Sequence, residues 1–472
     1  MRRLLRILAL VLLLLGAGAY WLAGREAILH WAFDKVAAAT QGQLQFDGLG
    51  GNLLGAIRVD RVRFSNAKAV VVADGVVLDF SLAALLQRRL AIDRLQADSL
   101  FVKLVRSDEP LEPPTSLALP VGIEVSRLQI GLIDIRRGDF SLLLRNLQAR
   151  FASTGGAHSL ALQGIDLPWG RVSGTLNLSG HAPFVLNSTA ELIPPNSDTF
   201  MPALQLDVHG QLAEIRTRLK TRSIWVQAAA SAVILPFQPV QLKGVEADLT
   251  RLDLQAMDPS LPRTSLGGRL TASQSRQTEL TGELELLNRI PGTLTQGSLP
   301  LTRLAARFIL DPEQLVLENL QFGMRLGATL TGKARLDADG IDAQLAGTAL
   351  NLQAFDARMT PTRLASKLDL QADPNTQRLV ATMADARQRY EIHALRQGNR
   401  ISLQNTRIRN TNSRLDLQGE LTTQGTWPFS GEAKLASFDP SVFGHFPSAR
   451  INASVTGRGQ FKPDWQVQLK AA

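Results

Sequence analysis

Few residues of this 472-residue chain have types and spacing that could do chemistry. Gly327-Ala-Thr-Leu-Thr-Gly332-Lys333 holds most of a phosphate-binding loop, but that loop needs a hydroxyl residue next to reach Mg²⁺, and Ala334 stands there. It also needs a strand that turns into a helix, whereas this stretch alternates apolar and polar residues throughout. Ser65-Asn-Ala-Lys68 has the spacing of a serine nucleophile and its lysine, yet it falls in a turn between strands and has no partner motif. The glycines of Asp47–Gly55 form a lone cluster that reads as a bend or bulge. The six histidines, among them His30, His158 and His209, are dispersed and show no metal-ligand spacing. With no cysteine, disulfides and thiolate zinc sites are excluded. No nucleophile–base set and no paired carboxylates can be assembled. The sequence therefore predicts no enzyme, no metal and no cofactor.

What remains is a chemistry of surfaces. In Leu320–Leu336, Phe322, Met324, Leu326, Ala328, Leu330, Ala334 and Leu336 share one parity, and Arg325, Thr329, Thr331, Lys333 and Arg335 share the other. A helical period of 3.6 would mix these sets, and a strand period of two separates them. The same signature recurs at Leu176, Leu178, Phe184 and Leu186, at Leu204, Leu206 and Val208, at Leu368 and Leu370, and at Leu415 and Leu417. Turn residues such as Ser179-Gly180, Asp339-Gly340 and Asp373-Pro374-Asn375 separate the strands. Between Val121 and the end no helix longer than two turns is predicted. Residues 43–106 read as short strands with a brief helical turn at Ser81–Arg89, and the four prolines of 107–120 mark a linker or long loop. A weak repeat links Leu176 through Pro183-Phe184 with Leu417 through Pro428-Phe429, which points to an array rather than a globule.

The N-terminus supplies an address. Arg2, Arg3 and Arg6 precede an uncharged apolar run that includes Ile7, Leu12 and Leu15 and continues through Trp21. Its length suits one bilayer crossing, and the basic flank keeps that end in the cytoplasm. Because the run continues past Gly16–Ala19, residues 1–24 read as an uncleaved transmembrane anchor rather than a signal peptide. Residues 25–42 follow as a short amphipathic helix ended by Gly42, placed to plug the start of the β structure. The net charge of +9 is spread along the chain and reads as a basic solvent face that blunts strand edges. A chain held outside the cytoplasm has no nucleic-acid partner.

An antiparallel sheet can leave one face in water, but its apolar face must be covered. There are too few helices for that. The expected fold is mostly β: a transmembrane helix, then an elongated, repetitive antiparallel β-groove over 121–472 with few short helices. Roughly thirty strands at about 4.8 Å each would make a long trough.

Three features together carry a family resemblance. The first is the basic anchor with its short helix. The second is Gly51-Asn52-Leu53-Leu54, then Val71-Val72-Ala73-Asp74-Gly75-Val76, Leu85-Leu86 and Leu90-Ala91-Ile92, followed by the proline-rich loop. The third is the ladder of Leu-x-Leu strands with Pro-Phe turns. The chain resembles the AsmA-like superfamily and, within it, the TamB family, the inner-membrane part of the translocation and assembly module. That resemblance implies a single-pass protein of the bacterial inner membrane with its bulk in the periplasm. It implies a conduit carrying phospholipid acyl chains between the two membranes for outer-membrane biogenesis. Its alternative is a scaffold for outer-membrane protein (autotransporter) assembly and secretion, acting with a TamA-type barrel as partner. The family's C-terminal domain, which engages that barrel, is missing from this sequence, which stops in mid-strand at Ala472 and reads as a fragment, a truncated gene or a shorter relative. Under this reading the groove contacts with lipid are Leu176, Leu178, Phe184, Leu186, Leu204, Leu206, Val208, Phe322, Met324, Leu326, Leu330, Leu368, Leu370, Leu415 and Leu417.

Overall fold

The computed structural model describes residues 25–471 apart from 82–83, 85–88, 106–111, 139, 196–200, 239, 277 and 461–465. The expected anchor, with Ile7, Leu12, Leu15 and Trp21, lies outside the described residues, as does most of the helical turn expected at Ser81–Arg89. Among the described residues no helix is long and apolar enough to cross a membrane. Two compact units are present, one of residues 1–223 with 233–241 and one of 224–232 with 242–472. The sequence showed no boundary there, because strand alternation continues through it.

The first unit begins with α1 (Glu26–Ala39), ended by Gly42 at φ 75°, a left-handed conformation that costs glycine little. Leu29 and Phe33 fall one turn apart and pack on the strands that follow. Leu29 is 0% exposed against Ile57 and Val59, and the Phe33 ring meets Phe46 edge-on at 4.7 Å. Trp31, on the opposite side, is 60% exposed. So α1 covers the first strands, as its amphipathic pattern predicts.

Eleven strands follow: β1 (Leu44–Gly50), β2 (Ile57–Ser65), β3 (Ala69–Ser81), β4 (Arg89–Leu104), β5 (Gly122–Arg137), β6 (Phe140–Ser153), β7 (Ala157–Leu167), β8 (Gly170–Ser179), β9 (Val185–Ile193), β10 (Ala203–Gln211) and β11 (Glu214–Arg222). Each pairs with the next and antiparallel, except β4 with β5, which are parallel from Arg89–Gly122 to Leu104–Arg137. The expectation of a wholly antiparallel groove is corrected at this one step. Parallel neighbours need a long crossover, and the proline-rich connection supplies it. The end of that connection is tied down: Leu117 N–H donates to Gly180 O at 2.9 Å and Leu119 N–H to Gly155 O at 2.8 Å. Asp74-Gly75 is a bulge inside a continuous β3 of thirteen residues, with Gly75 at φ 64° beside Asp98, so this strand is longer than the short strands expected over 43–106.

After β12 (Val226–Ile234), which carries residues of both units, the second unit runs β13 (Leu242–Leu252), β14 (Leu266–Arg276), β15 (Glu279–Asn288), β16 (Leu301–Leu310), β17 (Gln314–Met324), β18 (Thr329–Asp337), β19 (Ile341–Leu350) and β20 (Leu364–Ala372). It continues with β21 (Thr376–Ala384), β22 (Gln388–Gln397), β23 (Arg400–Asn410), β24 (Arg414–Thr422), β25 (Pro428–Phe438), β26 (Ile451–Gln460) and β27 (Gln466–Ala471). From β13 onward every neighbouring pair is antiparallel. The stretch Leu320–Leu336 is a hairpin, not one strand: β17 ends at Met324, Arg325–Gly327 form a 3₁₀ turn, and Met324 N–H closes on Ala328 O at 2.8 Å. Single-residue bulges with positive φ sit at Asn319, Ala349, Asn405 and Ser437. Each adds local twist, and each slips the parity of its strand by one.

Replacing Leu29 by alanine empties a fully enclosed site, and the docking of α1 should weaken by ~2–4 kcal/mol. Native-state hydrogen exchange would then show the α1 amides opening faster, with β8–β10 unaffected. Trp31→Ala should leave α1 protection within about twofold, because an exposed ring loses little burial. Equal loss from both changes would sink this account of how α1 is held.

Candidate functional site: an apolar wall with a braced border

Residues directly opposite one another on paired strands share a face. In the first unit one row runs Phe80, Ile92, Val125, Phe151, Leu160, Leu176, Ser188 and Val208 across β3 to β10. The neighbouring row ends in Leu162, Gly174, Ala190, Leu206 and Leu219. Leu178 pairs with Leu186, and Leu204 with Leu192, on the same face. Leu176, Leu178, Leu186, Leu204, Leu206 and Val208 are thus brought onto one wall. Phe184 precedes β9 in a left-handed turn residue (φ 57°) and is buried.

The second unit repeats the pattern. Phe322 faces Leu330, and Leu345 faces Leu368. Leu370 faces Leu379, Leu403 faces Gly419, and Leu415 and Leu417 face Leu435 and Ala433. Met324 packs at the edge of a small core made by Ala328, Leu350, Leu364, Met383, Tyr390 and Phe443. Leu326 is the exception among the expected groove residues. It occupies the β17–β18 turn at φ 68° and is 50% exposed. Its parity matched the wall, but the chain reverses direction there, so parity no longer specifies a face.

No second layer lies over these walls among the described residues, beyond α1, α2 (Leu254–Met257) and short 3₁₀ turns. Yet Phe308, Leu320, Leu330 and Ala381 are buried. The wall shelters itself by setting large side chains opposite glycines: a Cβ on Gly282 would strike the Phe308 ring, and one on Gly347 would meet Leu330. Toward the last strands Gly419, Gly431 and Gly457 line up on β24, β25 and β26. They floor an open hollow of about 450 Å³ walled by Leu403, Leu417, Leu421, Phe429, Val455 and Leu469. A larger hollow of about 740 Å³, between Thr331, Thr348, Lys367, Arg389 and Glu391, belongs to the opposite face and is a dip between charged arms.

That opposite face is ionic. One row reads Lys367, Thr382, Glu391, Arg407, Asp416 and Lys434 across β20 to β25. Arg407 lies 3.8 Å from Glu391 and 3.9 Å from Asp416. In the first unit the Arg61 guanidinium holds the Asp74 carboxyl below its usual range, with a smaller contribution from the Ser99 hydroxyl. Such exposed pairs stabilise little, because water and salt screen them. Their larger effect is on register, since a slip would place like charges opposite each other. The Gly327–Lys333 stretch ends with Lys333 exposed on this face, and Ser65–Lys68 is the β2–β3 turn, closed by Asn66 N–H on Ala69 O. Neither forms a site. Among the described residues no cluster of three His, Cys, Asp or Glu could hold a metal.

One border of the second unit is built from a repeat that alternation concealed. Leu252-Asp253-Leu254-Gln255-Ala256-Met257-Asp258, Leu350-Asn351-Leu352-Gln353-Ala354-Phe355-Asp356 and Phe438-Asp439-Pro440-Ser441-Val442-Phe443 are three copies of one capped turn. The cap accepts from the N–H two residues on: Gln255 at 3.2 Å, Gln353 at 3.0 Å and Ser441 at 3.1 Å. It accepts again where the loop returns, from Thr264, Thr362 and Ala449. The Ser441 hydroxyl and the Ala449 amide hold the Asp439 carboxyl below its usual range. The loops then join one another: Arg263 N–H to Gly297 O, Leu294 N–H to Phe355 O, and His445 N–H to Arg358 O. Beneath the last pair, Tyr390 donates to Gln388 at 2.5 Å, and burial, followed by the Asp385 charge, pushes its phenol up to about 12.

Family comparison agrees with this architecture. Residues 14–172 match the family described as TamB, N-terminal domain. That stretch of the chain is similar to a TamB N-terminal domain. Comparison with curated proteins and with solved structures gives no significant match. The matched residues take in α1, the parallel β4–β5 step and the strands as far as the start of β8, and so the start of the apolar wall.

Asn351→Ala removes the acceptor for two backbone donors at the braced border. It should cost ~1 kcal/mol locally, read as faster amide exchange at Gln353 and Thr362. Unchanged exchange there would show that the cap does not hold the loop.

Proposed function

We propose that the chain is an inner-membrane-anchored periplasmic conduit whose apolar wall carries phospholipid acyl chains. The carrying observation is the wall itself: largely apolar rows that run from strand to strand in each unit, with no covering layer among the described residues beyond α1, α2 and short turns. Exposed apolar surface of this extent marks an interaction site. An acyl chain laid along it leaves water, and each buried CH₂ contributes ~0.8 kcal/mol. The groove thereby removes the barrier that water sets to moving such chains, and no covalent chemistry is needed. The TamB N-terminal domain supports the envelope setting.

The test compares two leucines. Leu368, flanked by Leu345 and Ala381, lies in mid-wall, whereas Leu326 lies in a turn. Aspartate at 368 places a charge where acyl chains would run. Photo-crosslinking to diazirine-tailed phospholipid and lipid flux to the outer membrane should fall at least roughly tenfold in Leu368→Asp. Leu326→Asp should stay near wild type. Normal crosslinking in a folded Leu368→Asp protein would reject the conduit, and client polypeptide co-purifying in place of phospholipid would favour the scaffold reading.

A further inference from the structure

The two borders of the second unit differ in charge. Along the loop-braced border stand Arg263, Arg289, Arg325, Arg363, Arg387 and Arg450, none with an acidic partner or side-chain hydrogen bond among the described residues, and all exposed except the half-buried Arg325. The carboxylates of this border are committed. Asp253, Asp385 and Asp439 accept backbone N–H groups, and Asp356 holds Arg358 in a bidentate pair. On the other border, the tight turns β16–β17, β18–β19 and β20–β21 carry Asp311, Glu313, Asp339 and Asp373, and the arginines at the β14–β15 and β22–β23 turns are engaged: Arg276 with Glu279, Arg400 with Glu420, and Arg396 with Gly398 O and Gln377.

The arginines are not scattered. Each capped turn delivers one within a residue of its return contact: Arg263 before Thr264, Arg363 after Thr362, Arg450 after Ala449. Asn288, which caps the loop between them by accepting from Ser265 and Ile290, is followed by Arg289. Bonds between loops hold these positions along one continuous edge. With strands about 4.8 Å apart, the guanidinium groups recur roughly every 10 Å.

We infer that this border binds the phosphate of an anionic lipid whose acyl chains lie on the adjacent wall. The inference rests on the conduit reading and adds the headgroup's charge and side. Guanidinium groups match phosphate oxygens bidentately, and the arginines of the other border are already held by Glu279, Glu420, Gln377 and Gly398 O. A phosphodiester headgroup without a compensating cation therefore gains over a zwitterionic one. A lipid entering the groove takes one orientation, headgroups filing past the capped turns.

The experiment uses the full chain in detergent with two probes carrying the same fluorescent acyl chain, phosphatidylglycerol and phosphatidylcholine. Wild type should bind phosphatidylglycerol roughly three- to tenfold more tightly. Arg263→Gln/Arg363→Gln/Arg450→Gln should bring the two to parity while leaving phosphatidylcholine within about twofold. Glu313→Gln/Asp339→Asn, on the other border, should leave the preference intact. Millimolar inorganic phosphate should erode the preference without displacing the phosphatidylcholine probe. A preference that survives in the folded triple variant, or none in wild type, overturns the inference and leaves the conduit standing. Phosphate binding that the triple variant abolishes, with no lipid preference, assigns the border to free phosphate and overturns the lipid claim. If neither probe binds, the conduit reading itself fails.

Discussion

The constraint that organises each unit is that a single-layer sheet with one apolar face has nothing of its own to lay over it. A sandwich covers such a face with a second sheet, and an α/β fold covers it with helices. Here, among the described residues, α1 covers the first strands, and Phe355, Val442 and Phe443 of the capped turns cover Leu364, Met383 and Tyr390 at the border. Elsewhere the wall reduces its exposure from within. Large side chains lie across glycines on the neighbouring strand, as Phe308 does over Gly282 and Leu330 over Gly347. Bulges at Asn319, Ala349, Asn405 and Ser437 bend the strands that carry them. The result is a face sheltered enough for the chain to fold and open enough to take a guest.

Continuity of that face depends on register. A one-residue slip would move every leucine of a strand to the ionic side, so many adjacent pairings must each be specified. Tight turns specify one end of the hairpins. Charged rows such as Glu391, Arg407 and Asp416 penalise slips in the middle. Capped turns fix the other end, where longer loops would otherwise let the strands fray. The individual contributions are small, a few tenths to about 1 kcal/mol, but they act on every strand.

Much of this was legible in the sequence because period-two alternation and turn chemistry are local signals. The β class, α1, the turns and the shared face of Leu176, Leu178, Leu186, Leu204, Leu206 and Val208 follow from them. Three features were not legible, each for a stated reason. Leu326 continued the parity of its neighbours, and nothing local marks a reversal when a non-glycine residue takes the left-handed conformation. The parallel β4–β5 step depends on where a long connection returns, which no local pattern encodes. The capped turns were hidden because their repeat of 98 and then 88 residues, from Asp253 to Asn351 to Asp439, exceeds any window tuned to strands. The signal that finds the first two is Leu-Asp/Asn-Leu-Gln-Ala followed by an apolar residue and Asp, and the third keeps only the apolar–Asp pair and the apolar residue four positions after the cap.

The repeat also changes what the border means. Had the arginines stood at random, the basic balance of the chain would read only as solubility and protection of edges. Recurrence beside equivalent caps ties their spacing to the strand spacing, and hence to the wall. Wall and border are then two outputs of one repeating unit: strands that supply apolar rows, and a capped turn that supplies a cation at their ends. An array of such units extends the apolar path and the basic edge together. That coupling is what an amphiphile, apolar at one end and anionic at the other, would require of a track.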